Sequence, residues 1–263
     1  MKNQVSVEVH NLTVSYDGGP VLWDIDFELP QGQIIGIIGP NGSGKTTLLK
    51  SIMGLVEPSS GFVKIYDKNL DDVRERVAYV PQRESVDWDF PASVFDVVMM
   101  GRYRKKNLLK RTNKADVEIV NQSIEKVGLT EFKNRQISQL SGGQQQRVFI
   151  ARALAQKADL YLMDEPFVGV DAATESSILA LLQEMKADGK TVLIIHHDLQ
   201  TVSEYFDYLV LLNTRLIAKG NLQEVLTKEN LSNAYGGQLT LLSKVVDLIK
   251  KTEFPIREKD VDL

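Results

Sequence analysis

Gly39-Pro40-Asn41-Gly42-Ser43-Gly44-Lys45-Thr46-Thr47 follows the apolar run Ile34-Ile35-Gly36-Ile37-Ile38 and leads into Leu48-Leu49-Lys50. A β-branched run without polar alternation reads as a strand buried on both faces, which places it inside a parallel sheet. The glycines let successive backbone N–H groups converge on phosphate oxygens, and a helix starting near Lys45 aims its positive end at them. Gly, four residues, then Gly-Lys-Thr, set between strand and helix, is a phosphate-cradling pattern. Lys45 then reaches the β- and γ-phosphates and Thr46 ligates magnesium, with Thr47 completing the nucleotide-binding stretch. A tight strand-to-helix turn would account for the glycines but not for Lys and Thr at these positions.

Outward from that junction the chain punctuates itself. Val5, Val7 and Val9 alternate with polar residues, and 21–29 is strand-like up to Pro30-Gln31-Gly32, so an antiparallel hairpin or meander forms an edge sheet. Residues 62–66 and 77–80 are two further short strands. Past Gln82 the pattern turns helical, through Val94, Val97 and Val98 and then 117–127, so a helical insertion is expected over about residues 83–159. Strand signals return at 160–163 and 191–195 with a helical stretch at 174–186 between them, the spacing of a βαβ unit. The core is expected to close near Tyr235. Gly236-Gly237 marks a break, 241–249 reads as an amphipathic helix and the charged end, 251–263, as frayed. The expected fold class is α/β: a phosphate-loop nucleotide-binding core with an antiparallel β edge sheet and an inserted α-helical subdomain, over residues 1–235, followed by a tail over 236–263.

Composition narrows the chemistry. At 43% hydrophobic and 25% charged residues the chain is an ordinary globular one. Its net charge of -4 lacks the basic excess of generic nucleic-acid binders, so no nucleic-acid partner is expected and phosphate binding must be local. The absence of cysteine removes disulfides, thiolate nucleophiles and Cys-based zinc sites together. The first ten residues carry an acid and alternating valines, unlike a signal peptide. No apolar run approaches the roughly eighteen residues needed to cross a bilayer.

Leu160-Tyr161-Leu162-Met163-Asp164-Glu165 is an apolar strand ending in two acids, which puts both carboxylates at the carboxyl edge of the sheet where ligands bind in such architectures. Asp164 would hold magnesium, and Glu165 would orient or deprotonate an attacking water. Acids after a strand also serve as helix caps; the phosphate loop upstream favours the chemical reading. Leu140-Ser141-Gly142-Gly143-Gln144 precedes Val148, Ala151, Leu154 and Ala155 at helical spacing, so Ser141 is placed to cap a helix whose N-terminus faces an anion. A capped surface helix would need the serine but not Gly-Gly-Gln after it.

These motifs resemble the ATP-binding cassette family, whose signature loop reads Leu-Ser-Gly-Gly-Gln, and the resemblance runs from about residue 5 to 235. It implies that Tyr16 stacks on adenine, Gln82 touches magnesium and the attacking water, Asp171 joins the two subunits' sites, and His197 hydrogen-bonds the γ-phosphate. It also implies ATP and Mg2+ as cofactors, a head-to-tail homodimer with ATP between the copies, and an integral membrane permease that holds the chain at the cytoplasmic side of the plasma membrane. The segment Phe167-Val168-Gly169-Val170-Asp171 departs from the family's usual small residue and Ala-Leu-Asp. Together with Tyr79-Val80-Pro81-Gln82-Arg83, Trp88-Asp89-Phe90-Pro91, Met99-Met100-Gly101-Arg102-Tyr103 and His196-His197-Asp198-Leu199, it looks like the manganese, zinc and iron importers of bacteria, which also use an extracytoplasmic metal-binding protein. Trp88, Phe90 and Phe95 are expected to form an apolar socket for a permease helix, or else subdomain core. A soluble cassette ATPase of DNA repair, translation or cluster assembly is the alternative, but the chain lacks a long coiled-coil insertion, a tandem second cassette and a basic tract. A non-catalytic nucleotide-gated module is a third, against which Lys45, Glu165 and His197 speak.

Overall fold

The computed structural model describes residues 4–103 and 113–236, so the helix and frayed end expected over 241–263 lie outside the described residues. Strands β1 (Val5–Tyr16) and β2 (Gly19–Pro30) pair antiparallel, with Tyr16 opposite Gly19, as their alternating inward valines, leucines and isoleucines require. Strand β3 (Ile34–Ile38) leads through the glycine loop to α1 (Lys45–Ile52); β4 (Ser60–Ile65), the single turn α2 (Leu70–Val73) and β5 (Val77–Val80) follow. Next come α3 (Val94–Met100), α4 (Lys114–Lys126) and α5 (Gly142–Ala155), then β6 (Leu160–Asp164), α6 (Ala172–Ala187), β7 (Thr191–Ile195) and the short α7 (Val202–Tyr205). Strands β8 (Tyr208–Asn213) and β9 (Arg215–Asn221) and helices α8 (Leu222–Val225) and α9 (Lys228–Tyr235) complete the described chain.

Two sheets result. One is antiparallel, in the order β2-β1-β4; the other runs β5-β6-β7-β3-β8-β9 and is parallel except for its last pair. The parallel strands alternate between two hydrophobic cores. Ile34 and Ile38 join the core formed with α3, α5 and α6, while Ile35 and Ile37 join the one that packs against α1 and the antiparallel sheet. In β6, Tyr161 and Met163 take the first side and Leu160 and Leu162 the second; β7 divides in the same way. A side-chain period of two on a sheet covered on both faces accounts for the unbroken apolar runs.

Helix ends are fixed by side-chain caps worth about 1 kcal/mol each. Ser93 and Asp96 form a capping box on α3, Asn113 and Asp116 on α4, and Ser141 and Gln144 on α5. Strands β3, β5 and β7 fall on the residues that sequence pattern assigns them. The helical part of the insertion begins only at Val94, because Pro81, Pro91 and the short turn Arg83–Ser85 keep the chain after Gln82 out of regular helix. Strand β9 has no clear sequence signal: of its residues only Gly220 is buried, so it lacks strict alternation.

The glycine loop is held from two sides. The backbone N–H of Thr214, in the β8–β9 turn, donates to the Ser43 carbonyl at 3.0 Å. A Cβ on Gly39 would lie 2.0 Å from the Leu212 carbonyl oxygen, and one on Gly44 would lie 2.5 Å from Leu22 Cδ2. Gly44 also has φ 95, so both space and backbone conformation demand glycine there.

Candidate functional site

Strands β3, β5, β6 and β7 are parallel, so the residues following each of them emerge at one edge of the sheet. That edge collects Lys45, Gln82, Asp164, Glu165 and His197. Lys45 is 7% exposed, and its ammonium donates to the carbonyls of Gly39 at 2.9 Å and Pro40 at 2.8 Å. Burial pushes its pKa below the usual lysine value, opposed by the charges of Glu165 and Asp164. The ammonium thus rests on carbonyls inside its own loop, where an incoming phosphate competes for it with full negative charge.

Asp164 is 2% exposed, and its Oδ1 has no hydrogen-bond partner. Burial first and the Glu165 charge second drive its pKa up to about 6, against the pull of Lys50, the Thr46 hydroxyl and Lys45. A buried carboxylate oxygen without a donor, beside a hydroxyl, is the oxygen-rich setting that hard divalent cations take. The residues present therefore fit magnesium. Ser43 Oγ is likewise buried without a partner, within the phosphate loop.

Glu165 sits at φ 51, a left-handed conformation that non-glycine residues rarely hold. Its Oε2 accepts a hydrogen bond from Gln82 Nε2 at 3.3 Å, and its Oε1 lies 3.7 Å from His197 Nδ1. Three residues from the ends of three strands therefore meet around one carboxylate. The two histidines separate clearly. His196 is 5% exposed, bonded through Nε2 to Thr201 Oγ1 at 2.7 Å and ringed by Phe167, Tyr205 and Phe206. Burial, then His197, lowers its pKa to about 4, so it is a neutral packing residue at pH 7. The His197 side chain is half exposed beside Glu165, open to a ligand at the sheet edge.

The other expected residues stand apart from this cluster. Tyr16 is 53% exposed at the end of β1, its ring open to a flat ligand. Ser141 is exposed at the start of α5; its backbone N–H donates to Gln144 Oε1 at 2.9 Å, and its hydroxyl accepts from the Gln144 N–H at 3.4 Å. Among the described residues no hydrogen bond joins Ser141–Gln144 to the phosphate loop. Asp171 caps α6, accepting from the Thr174 N–H and hydroxyl, both at 2.9 Å, which hold its pKa below the usual value. One residue with no signal of its own in the sequence is Arg83, whose guanidinium reaches Gln145 and Gly142.

The aromatic socket is not one feature. Trp88 packs edge-on against Phe149 with ring centroids 5.2 Å apart, Phe95 lies under the Lys133 ammonium, and Phe90 is 53% exposed. The first two belong to subdomain core. An open groove of about 660 Å³ instead runs between residues 71–76 and 100–103, with Met100 and Tyr103 exposed on its wall.

The sequence profile of the family described as "ABC transporter" matches residues 22–168. The chain is 59% identical over 240 residues to the manganese transport system ATP-binding protein of Bacillus subtilis, covering 91% of this chain and 96% of that one. It is 55% identical over 235 residues to the zinc transport system ATP-binding protein of Treponema pallidum, covering 89% and 88%. A solved ATP-binding cassette of an ABC transporter, in its ADP conformation, superposes with a TM-score of 0.74 at 26% identity, covering 94% of this chain and 98% of that one.

The elevated Asp164 pKa carries a stability signature. A carboxyl whose folded pKa of about 6 exceeds its unfolded value of about 4 binds its proton more tightly when folded, so its ionisation penalises the folded state above pH 6. Asp164→Asn is expected to raise the Tm of the nucleotide-free protein at pH 8, the gain shrinking as pH falls from 6 to 4. Scanning calorimetry at three pH values checks this, and an unchanged Tm at pH 8 contradicts it.

Proposed function

The chain belongs to the ABC transporter family as an ATPase subunit, and we propose that it drives a bacterial importer of a divalent transition metal through a separate membrane permease. The cargo reading is carried by the likeness over nearly the whole chain to subunits named for manganese and zinc transport, with manganese ahead. No described helix is long and apolar enough to cross a membrane. In this reading the permease supplies the passage and holds the chain at the cytoplasmic face. Metal selection falls to the permease and an extracytoplasmic binding protein.

In this reading the ATP phosphates lie along Gly39-Pro40-Asn41-Gly42-Ser43-Gly44-Lys45-Thr46-Thr47, and adenine stacks on Tyr16. Lys45 exchanges the Gly39 and Pro40 carbonyls for the β- and γ-phosphates and offsets charge on the transferring phosphoryl group. Glu165 accepts a proton from the attacking water, held in place by Gln82, while His197 donates to the γ-phosphate. Thr46, Asp164 and Gln82 would hold Mg2+, which neutralises phosphate oxygens when bound. Ser141, Gly142, Gly143, Gln144 and Asp171 serve the ATP bound to a second copy, packed head to tail. What supports this is the outward-facing, capped N-terminus of α5, which has no hydrogen bond to its own phosphate loop among the described residues. The groove beside Met100 and Tyr103 receives the permease's cytoplasmic helix, as helix-in-groove contacts use exposed apolar anchors.

Glu165→Gln is expected to keep ATP binding while slowing turnover at least about a hundredfold; near wild-type turnover would remove Glu165 from its role. Tyr103→Glu should abolish co-purification with the permease and leave ATP binding intact, whereas retained co-purification would move the docking site elsewhere. The cargo is tested by deleting the gene, which should lower cellular manganese or zinc, and by reconstitution, where that metal's binding protein should stimulate ATPase activity. Unchanged metal content, with another solute stimulating turnover, overturns the metal assignment and leaves the motor intact.

A further inference from the structure

Arg83 directly follows Gln82, yet its side chain turns away from Glu165 and onto the start of α5. Its Nε donates to Gln145 Oε1 at 3.0 Å. Gln145 is 5% exposed and passes the restraint on, donating through Nε2 to the Ile137 carbonyl at 3.1 Å. A Cβ on Gly142 would lie 3.0 Å from Arg83 Cζ, 3.2 Å from Nη1 and 3.3 Å from Nε. Because Cζ is the nearest of the three, Gly142 rests on the face of the guanidinium rather than on its edge. The backbone of Arg83 is anchored to the same helix by another route. Its carbonyl accepts from Trp88 Nε1 at 2.9 Å, and the Trp88 ring packs on Phe149 of α5. The neighbouring Gln82 carbonyl accepts from Ser85 N–H at 3.0 Å and Ser85 Oγ at 2.7 Å, so residues 82–85 form one closed turn that carries the Gln82 side chain to Glu165 and the Arg83 side chain to α5.

We propose that Arg83 is a positioning residue that couples the two ATP sites: it ties Gln82, which serves the ATP on its own chain, to Ser141 and Gly142, which serve the ATP on the partner copy. This inference rests on the shared-site reading above. When Gln82 shifts with the state of its own site, Arg83 carries the displacement into α5 and thereby into the opposite site. A planar guanidinium is needed for this, since one face supports Gly142 while its edge donates to Gln145; an ammonium offers a point donor without a face.

The test uses the full-length chain. For wild type the Hill coefficient of ATP hydrolysis should exceed 1; in Arg83→Ala and Arg83→Lys it should fall to about 1, with kcat down about tenfold, the scale of a typical coupling energy. Binding of trinitrophenyl-ATP should stay within about twofold of wild type, which separates positioning from general damage. Arg83→Lys keeps a long stem and a donor, so it tests the inference even if Arg83→Ala folds poorly. Since the chain has no cysteine, the shared site is checked independently by Asn41→Cys with Ser141→Cys and a thiol crosslinker. ATP should produce a crosslinked dimer, and adding Arg83→Ala should slow its formation. Absence of crosslinked dimer with Arg83 intact overturns the shared-site reading, and the inference falls with it. Crosslinked dimer together with an unchanged Hill coefficient in both Arg83 variants, or a wild-type coefficient near 1, overturns the role of Arg83 alone.

Discussion

A sheet covered on both faces has room for polar chemistry only at its ends. Strands β3, β6 and β7 are buried at every residue, so a charged side chain placed mid-strand would lose its hydration. The chain therefore exports its chemistry to the carboxyl edge, where the β3 loop, the Asp164-Glu165 pair, His197 and Gln82 converge. Strand order tightens that convergence. Strand β7 lies between β3 and β6, which sets His197 beside Glu165 rather than at the rim. The β8–β9 turn braces the loop from the other side through Thr214 and Leu212.

The same burial keeps the edge electrostatically unsettled in the absence of nucleotide. Lys45 is held below its ordinary pKa and Asp164 is pushed up to about 6, each by desolvation before any other cause. Lys45 and Asp164 attract one another electrostatically, but Lys45 spends its hydrogen bonds on the Gly39 and Pro40 carbonyls, and Asp164 Oδ1 is left without a donor. A ligand bringing phosphate for the first and a divalent cation for the second relieves both at once.

Much of this was legible before any coordinates. Continuous apolar runs mark β3 and β7 because burial on both faces leaves no alternation to misread. The phosphate loop was legible because its Lys and Thr have no role in a plain turn. Ser141 is legible as a cap because Val148, Ala151, Leu154 and Ala155 follow it at helical spacing; the structure adds Gln144 as its box partner. What escaped depends on distance in sequence. Arg83 and Gln145 are 62 positions apart, and nothing local marks the pair. Trp88, Phe90 and Phe95 looked like one cluster because they are near in sequence, yet Trp88 packs on Phe149 from α5, a partner that only the tertiary fold supplies. The burial that separates His196 from His197 is likewise supplied by the tertiary fold: one is enclosed by three aromatic rings and the other is half exposed.

The glycines divide into two kinds, and the division says how force is carried. Gly42 and Gly44 have positive φ, at 78 and 95, so the phosphate loop needs glycine for its backbone path. Gly142 and Gly143 have no such requirement; they begin an ordinary helix. What they need is space. A Cβ on Gly142 would press on the Arg83 guanidinium, and one on Gly143 would lie 3.3 Å from Thr174 Oγ1 and 3.7 Å from Asp171 Oδ2. The start of α5 thus lies between the guanidinium of the residue after Gln82 on one side and the Asp171 cap of α6 on the other, and glycine at both positions is what lets the three approach.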